Sequence, residues 1–263
     1  MKPDYKNWMP KGMVLGFLAG TLVSLVLALI FGCTPLLSPG KAKTILTILF
    51  ILASLVLCGV TIWMFLMYRA FDYNGSRQMS RQIIEGIASY VNLSDGEKSL
   101  DVGCGSGALV IAVAKRNPNA RVTGVDRWGK EYASFSQNLC RQNAKAEGVS
   151  NATFLQGDAT HLDFPDESFD AVTSNYVYHN IPSKDRQAIL LETLRTLKKG
   201  GTFAIHDIFS ASKYGDMQAF LKKLEDMGYQ KAELIDTTNG LFMKSSEASW
   251  MALSGSALLT GVK

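Results

Sequence analysis

The stretch Leu100-Asp101-Val102-Gly103-Cys104-Gly105-Ser106-Gly107 limits the possible folds more than any other part of the chain. An apolar run ends on an acid, glycines follow at alternate positions, and an Ala- and Val-rich segment, Ala108 to Ala114, begins with helical character. That order predicts a strand, a tight turn and a helix start, the unit of a parallel α/β sheet. Glycine adopts conformations that a side chain forbids and lets a ligand approach the backbone, while the unpaired N–H groups of the helix start carry partial positive charge. Such a turn is suited to holding a ligand.

Two ligands compete for it. Gly103, Gly105 and Ala108 satisfy the Gly-x-Gly-x-x-Gly/Ala fingerprint of a dinucleotide turn, with Asp126 at the distance of a ribose-binding acid. Asp101, two residues before the first glycine, would repel a pyrophosphate but suits an ammonium or sulfonium. The acid therefore favours S-adenosylmethionine, and a dinucleotide-dependent oxidoreductase remains the alternative.

Further motifs follow in order: Gly-Val-Asp at 124–126, Gly-Asp-Ala at 157–159, Phe-Pro-Asp-Glu-Ser-Phe-Asp at 164–170 and Leu-Lys-Lys-Gly-Gly at 197–201. From about Arg81 to the C-terminus the chain resembles the class I S-adenosylmethionine-dependent methyltransferases, closest to the branch of quinone and other small-molecule methyltransferases. The resemblance implies an α/β, Rossmann-like sheet of seven strands, the last antiparallel. It also implies S-adenosyl-L-methionine as cofactor, held by Asp101, Gly103, Gly105, Gly107, Asp126, Arg127, Asp158, Ala159 and Asn175. In that family Asp126 accepts from the ribose hydroxyls and Asp158 from the adenine amino group. Read without the family, Asp126 suits the N-cap of a helix beginning near Gly129, and Trp128 either covers the adenine or simply packs.

The N-terminal part obeys different rules. Gly12 to Phe31 and Thr44 to Met67 contain no charged residue, and both exceed the roughly 18 apolar residues that mark a transmembrane helix. Their only polar side chains of note are Thr21, Ser24, Thr47, Ser54 and Thr61. A membrane anchor over 1–71, with spans at about 12–31 and 44–67, is expected before a 72–263 domain. Lys2, Lys6 and Lys11 before a run ending at Cys33 also suit a lipoprotein signal, but Phe31 is too large for its cleavage pattern. Two spans put both termini on one side; a domain that needs an intracellular cofactor makes that side the cytoplasm, and Lys2, Lys6, Lys11, Arg69, Arg77 and Arg81, against Lys41 and Lys43 in the loop, agree. The expected location is the cell membrane, multi-pass, with the catalytic domain facing the cytoplasm.

Charge supports this division. Residues 1–71 carry six Lys and Arg against one acid, and 72–263 carry 21 against 22, so the net +4 belongs to the anchor. A nucleic-acid partner loses its electrostatic support. Cys33, Cys58, Cys104 and Cys140 have no metal-like spacing, and no metal is expected.

The remaining elements are read from periodicity. Helices are expected over Arg77–Val91, Gly129–Glu147, Lys184–Leu197 and Gln218–Met227, with Lys198-Lys199-Gly200-Gly201 as a helix C-terminus. Strands are expected at Arg121–Val125, Ala152–Gln156, Phe169–Ser174 and Thr202–Ile205, with a final hairpin of Lys231–Thr237 and Ala252–Val262. Chemistry in open α/β sheets gathers beyond the carboxyl ends of strands. Asn175-Tyr176-Val177-Tyr178-His179 and His206-Asp207 fall there, making His179, His206 and Tyr178 the catalytic candidates, with Tyr176 shaping the pocket. His161 is expected to be structural, as are His179 and His206 if they merely bond backbone. Leu241-Phe242-Met243 and Trp250-Met251 suit an acceptor pocket or a lipid contact.

The expected function is methyl transfer to a small, hydrophobic or membrane-resident acceptor, a lipid, quinone, thiol or phenol. The competing reading is an inactive S-adenosylmethionine-binding module at the membrane.

Overall fold

The computed structural model describes residues 2–129 and 134–263. The chain divides into two compact units, one of residues 7–80 and one that joins 2–6 to 81–263. The first is a helical hairpin. Helix α1 (Lys11–Cys33) and helix α2 (Lys41–Phe71) are 23 and 31 residues long. At 1.5 Å per residue they reach ~35 and ~46 Å, against the ~30 Å hydrocarbon core of a bilayer. Small residues line their contact: a Cβ on Gly20 would lie 3.5 Å from Leu57, and Thr21 Oγ1 meets Thr61 Oγ1 at 3.2 Å. Thr21 and Thr61 also bond back to Phe17 and Leu57 carbonyls, so no hydroxyl of this pair is left without a partner. Leucines and valines such as Leu22 and Val56 point outward. Both helices are long and apolar enough to cross a membrane.

The second unit is a seven-stranded sheet flanked by helices. Helix α3 (Met79–Ala88) brings the chain to it, followed by β1 (Lys98–Val102), α4 (Ala108–Arg116), β2 (Arg121–Asp126), α5 (Gln137–Ala146), β3 (Ala152–Gln156) and β4 (Phe169–Asn175). Then come α6 (Arg186–Arg195), β5 (Leu197–Ile208), α7 (Ala211–Tyr214), α8 (Met217–Asp226), β6 (Lys231–Asp236), α9 (Ser245–Trp250) and β7 (Ser256–Val262). The strand order is β3-β2-β1-β4-β5-β7-β6, parallel except for β7, which runs antiparallel to both neighbours. This is the Rossmann-like sheet expected from the motifs. Strand order reverses at β1, whose neighbours are β2 and β4, so the carboxyl ends of these strands form the crevice where such sheets bind ligands.

Element boundaries differ most from the sequence reading in three places. Helix α5 begins at Gln137, because Ser136 in extended conformation caps it by accepting from Leu139 N–H at 3.2 Å; part of the expected start, 130–133, lies outside the described residues. Leu197–Gly201 is not a helix terminus but the start of β5. Lys198 there pairs with Asp170 at 2.7 Å, and the last carbonyls of α6 and Leu197 are instead capped by the amine of Lys263. The final strands are linked by 237–255 with α9 inside it, and β7 starts at Ser256 instead of Ala252.

Candidate active site

Strand β1 delivers Asp101 and the glycine turn to the crevice. Gly103 has φ 76°, and a Cβ there would stand 2.3 Å from Val177 Cγ2. Gly107, at φ 81°, precedes α4 and would press a Cβ to 2.9 Å from Phe154. Both positions thus need glycine twice over, for conformation and for room. The turn is pinned to β2: Gly103 and Cys104 N–H both donate to Val125 O, at 2.8 and 3.1 Å, and Gly105 N–H donates to Asp126 Oδ2 at 2.8 Å. Asp126 Oδ1 accepts from Trp128 N–H at 2.7 Å, and the Trp128 indole N–H returns to Gly105 O at 2.9 Å. Asp126 therefore faces the turn. It does not cap α5.

Asp101 is buried, with Thr173 Oγ1 donating to it at 2.8 Å. Burial, reinforced by the charge of Asp126, pushes its carboxyl up to about 8. A buried carboxyl with one hydroxyl donor fits a ligand that brings a cation, and the glycine turn beside it leaves no side chain between ligand and backbone. These residues fit the ammonium and ribose of S-adenosylmethionine. Arg127 and Asp158 are exposed at the ends of β2 and β3, with Ala159 half-buried beside them. Asp158 Oδ1 accepts from the N–H and hydroxyl of Thr160 at 2.8 and 2.7 Å, which holds its carboxyl below the usual range.

The histidines sit at the ends of β4 and β5, with different surroundings. His179 Nδ1 lies 2.5 Å from Asp207 Oδ1. Asp207 is fully buried and also accepts the N–H groups of Tyr178 at 2.9 Å, His179 at 3.2 Å and Ile208 at 2.7 Å. Bonding to His179 and to these amides holds its carboxyl below the usual range against the penalty of burial. An ionised Asp207 fixes the proton on His179 Nδ1 and leaves the Nε2 lone pair free to take another. The side chain of His179 is 13% exposed, enough to be reached.

His206 is sealed. Its Nδ1 meets Asn175 Oδ1 and its Nε2 meets Thr237 Oγ1, both at 2.9 Å, and burial pushes its pKa down to about 3. Thr237 donates to Ser256 O at 2.9 Å, so it accepts from Nε2–H. A neutral ring then needs a donor at Nδ1, which places the amide nitrogen of Asn175 there, since amide O and N are interchangeable in assignment. Asp207 follows His206 in sequence but its carboxylate serves His179.

Tyr178 is fully buried and its hydroxyl meets Thr193 Oγ1 at 2.8 Å, inside the core against α6. Tyr176, at φ 54°, packs its ring 4.7 Å from His206 and 5.9 Å from His179, with its hydroxyl on Ser256 at 2.8 Å. Beyond His206 lies Phe242, ring to ring at 5.3 Å. The structure thus gathers His179, Tyr176, His206 and Asn175 and turns Tyr178 away. Thr173, Thr237 and Ser256 went unmarked in the sequence, where an isolated hydroxyl carries no periodic signal.

A family model of methyltransferase domains matches residues 93–252, more than half of the chain. The chain belongs to this methyltransferase family. The methyltransferase is 34% identical over 134 residues to demethylmenaquinone methyltransferase of Geobacillus stearothermophilus, covering 49% of this chain and 53% of that one. It is 32% identical over 134 residues to the demethylmenaquinone methyltransferase of Bacillus subtilis strain 168, with 49% and 53% covered. It spans about half the length of the curated relatives it matches. Among solved structures it is similar to the cyclase SpnF, with TM-score 0.55 and 20% identity over 73% of this chain and 85% of that one. It is also similar to geranyl diphosphate methyltransferase solved with GPP and sinefungin, with TM-score 0.53 and 14% identity over 73% and 82%. At such identities the structures show the fold alone. The chain carries the methyltransferase domain of this family on a Rossmann-like sheet.

Proposed function

We propose that this methyltransferase is anchored in the cell membrane by α1 and α2, faces the cytoplasm, and methylates a hydrophobic acceptor bearing an ionisable hydroxyl, of the quinol or phenol kind. The observation that carries the reading is the joining, in one chain, of two helices with charge-free runs at 12–31 and 44–67 to a site where a reachable histidine sits on a buried carboxylate. The demethylmenaquinone methyltransferase relatives support the acceptor class.

S-adenosylmethionine, when bound, supplies a methyl group on a sulfonium that needs no further activation. The chain's part is to align and to move a proton. Asp101 takes the ammonium and Asp126 the ribose, with Arg127, Asp158 and Ala159 at the adenine end and Asn175 at the sulfonium end. His179 Nε2 accepts the acceptor's proton as its oxygen or ring carbon gains the methyl group, and Asp207 stabilises the imidazolium that forms. His206 stays neutral and fixes Asn175 and Tyr176; Tyr178 braces the turn from the core.

A cavity of about 350 Å³ lined by Gln82, Gly86, Ser89, Tyr90, Leu241 and Phe242 supports the acceptor class. It is large enough for one or two fused rings, and Phe242 in its wall packs on His206 at 5.3 Å between ring centroids. The test is a series of quinols and phenols with lengthening isoprenoid tails, offered to the full chain in lipid nanodiscs. The reading expects kcat/KM to rise with tail length; preference for polar, tailless acceptors refutes it.

A further inference from the structure

Residues 2–6 precede the apolar hairpin in sequence, yet they form part of the catalytic unit. Asp4 lies against α5, where Asn143 Oδ1 accepts its N–H at 2.7 Å and Asn143 Nδ2 donates to its carbonyl at 3.0 Å. The same Nδ2 donates to Ser106 O at 3.0 Å. Ser106 belongs to the cofactor turn, one residue before the Gly107 cap of α4. Asn143 is 2% exposed, so one buried amide holds the N-terminal backbone with one hand and the turn with the other. A second clamp lies beside it. Tyr5 is buried and its hydroxyl donates to Glu147 Oε1 at 3.2 Å, while Glu147 Oε2 accepts from Lys115 of α4 at 2.8 Å. Asp4 thus bonds to α5 and Tyr5 to its C-cap Glu147, which in turn reaches Lys115 of α4. Neither Asp4 nor Tyr5 lies within residues 93–252 that define the family domain.

We infer that residues 3–6 are a strap that sets the cofactor turn, with Asn143 the positioning residue through which they act on Ser106. A buried amide with every donor and acceptor committed has one orientation. Removing Asp4 frees one acceptor and one donor of Asn143 and lets it rotate away from Ser106, so the turn samples positions in which its amides and Asp101 no longer converge. The consequence falls on cofactor affinity, not on the proton-transfer step at His179. Asp4 is 139 residues from Asn143, and short-range pattern gives no sign of the pairing.

This inference rests on the reading that the 101–107 turn holds S-adenosylmethionine, and the experiment separates the two. The full chain in nanodiscs is compared with a deletion of residues 2–5, with Tyr5→Ala, with Asn143→Asp, and with the deletion combined with Asn143→Asp. Asn143→Asp keeps the acceptor for Asp4 N–H and removes the donor to Ser106. The strap predicts that the deletion and Asn143→Asp each raise Kd and KM for S-adenosylmethionine about tenfold, the scale of a lost buried hydrogen bond, and leave kcat at saturation within twofold. Combined, they do no more than either alone, because they act on one path. Hydrogen exchange should quicken in 101–109 but not in β4 and β5, with Tyr5→Ala showing the same pattern more weakly. A Kd within twofold in the deletion, multiplied effects in the combination, or a fall in kcat with KM unchanged overturns the strap. Asp126→Ala is the control. If it binds S-adenosylmethionine as the parent does, the reading of the turn fails; if it loses binding while the strap variants do not, the strap alone fails.

Discussion

The proposed reading of Asp101 predicts that cofactor binding releases a proton. Without a cation beside it, the buried carboxyl titrates at about 8, so at pH 7 roughly nine molecules in ten carry a proton there. The ammonium of S-adenosylmethionine needs the ionised form. Binding at pH 7 should therefore release about 0.9 proton, at a cost of about 1.4 kcal/mol, and affinity should rise about tenfold from pH 6 to pH 7. That interval keeps the ligand's own amine protonated, so the slope belongs to the protein. Calorimetric titration in phosphate and in Tris, whose ionisation heats differ, reads the proton count directly. S-adenosylhomocysteine, with the same ammonium, should show the same linkage, and Asp101→Asn should abolish it. Release below about 0.2 proton with a flat pH profile, or an unchanged slope in Asp101→Asn, would refute the assignment of Asp101 to the ammonium.

The same titrations govern stability without ligand. Asp101 holds its proton more tightly in the folded chain, so its protonation favours the fold as pH falls from 8 toward 4, while buried His206, down at about 3, disfavours it as pH falls below 6.5. Between about pH 5 and 6 the two largely cancel, so urea midpoints should be nearly flat in the parent, while Asp101→Asn should lose roughly 1 kcal/mol per unit as pH falls. His179→Gln should lower kcat about 10²- to 10⁴-fold with Kd for S-adenosylmethionine unchanged, read by single-turnover transfer and calorimetry. Asp207→Asn should lower kcat as far by reversing the tautomer of His179, and should also lower the melting temperature, since it disturbs a buried network of four donors. Gly103→Ala meets Val177 at 2.3 Å with φ at 76° and should cost about 2–3 kcal/mol in urea unfolding, part of it recovered in Gly103→Ala combined with Val177→Ala.

Where the sequence spoke through short-range pattern, it was legible. The alternate glycines after Asp101 announced the turn, Ala152–Gln156 was read to the residue, and the parallel sheet with its antiparallel last strand followed from the family resemblance that the motifs carry. What stayed hidden depended on distant partners. The glycines and lysines at 198–201 resemble a helix end, but pairing with β4 and the Lys198–Asp170 contact make them strand, and the cap of α6 comes from Lys263. His206 and Asp207 adjoin in sequence. Neighbours on a strand point to opposite faces, and Asp207 meets His179 instead. Tyr178 looked like its neighbour Tyr176, yet one turn of chain sends its hydroxyl into the core.

The most direct test of the account follows the methyl group itself. The full chain, reconstituted in bilayers from a bacterial lipid extract, is given S-adenosylmethionine labelled on the methyl, beside Asp126→Ala and His179→Gln. The account predicts label in a lipid-soluble quinol or phenol with the parent, none above background with Asp126→Ala, and transfer at least about a hundredfold slower with His179→Gln. Label confined to water-soluble products, or transfer by His179→Gln at the parent's rate, would contradict it.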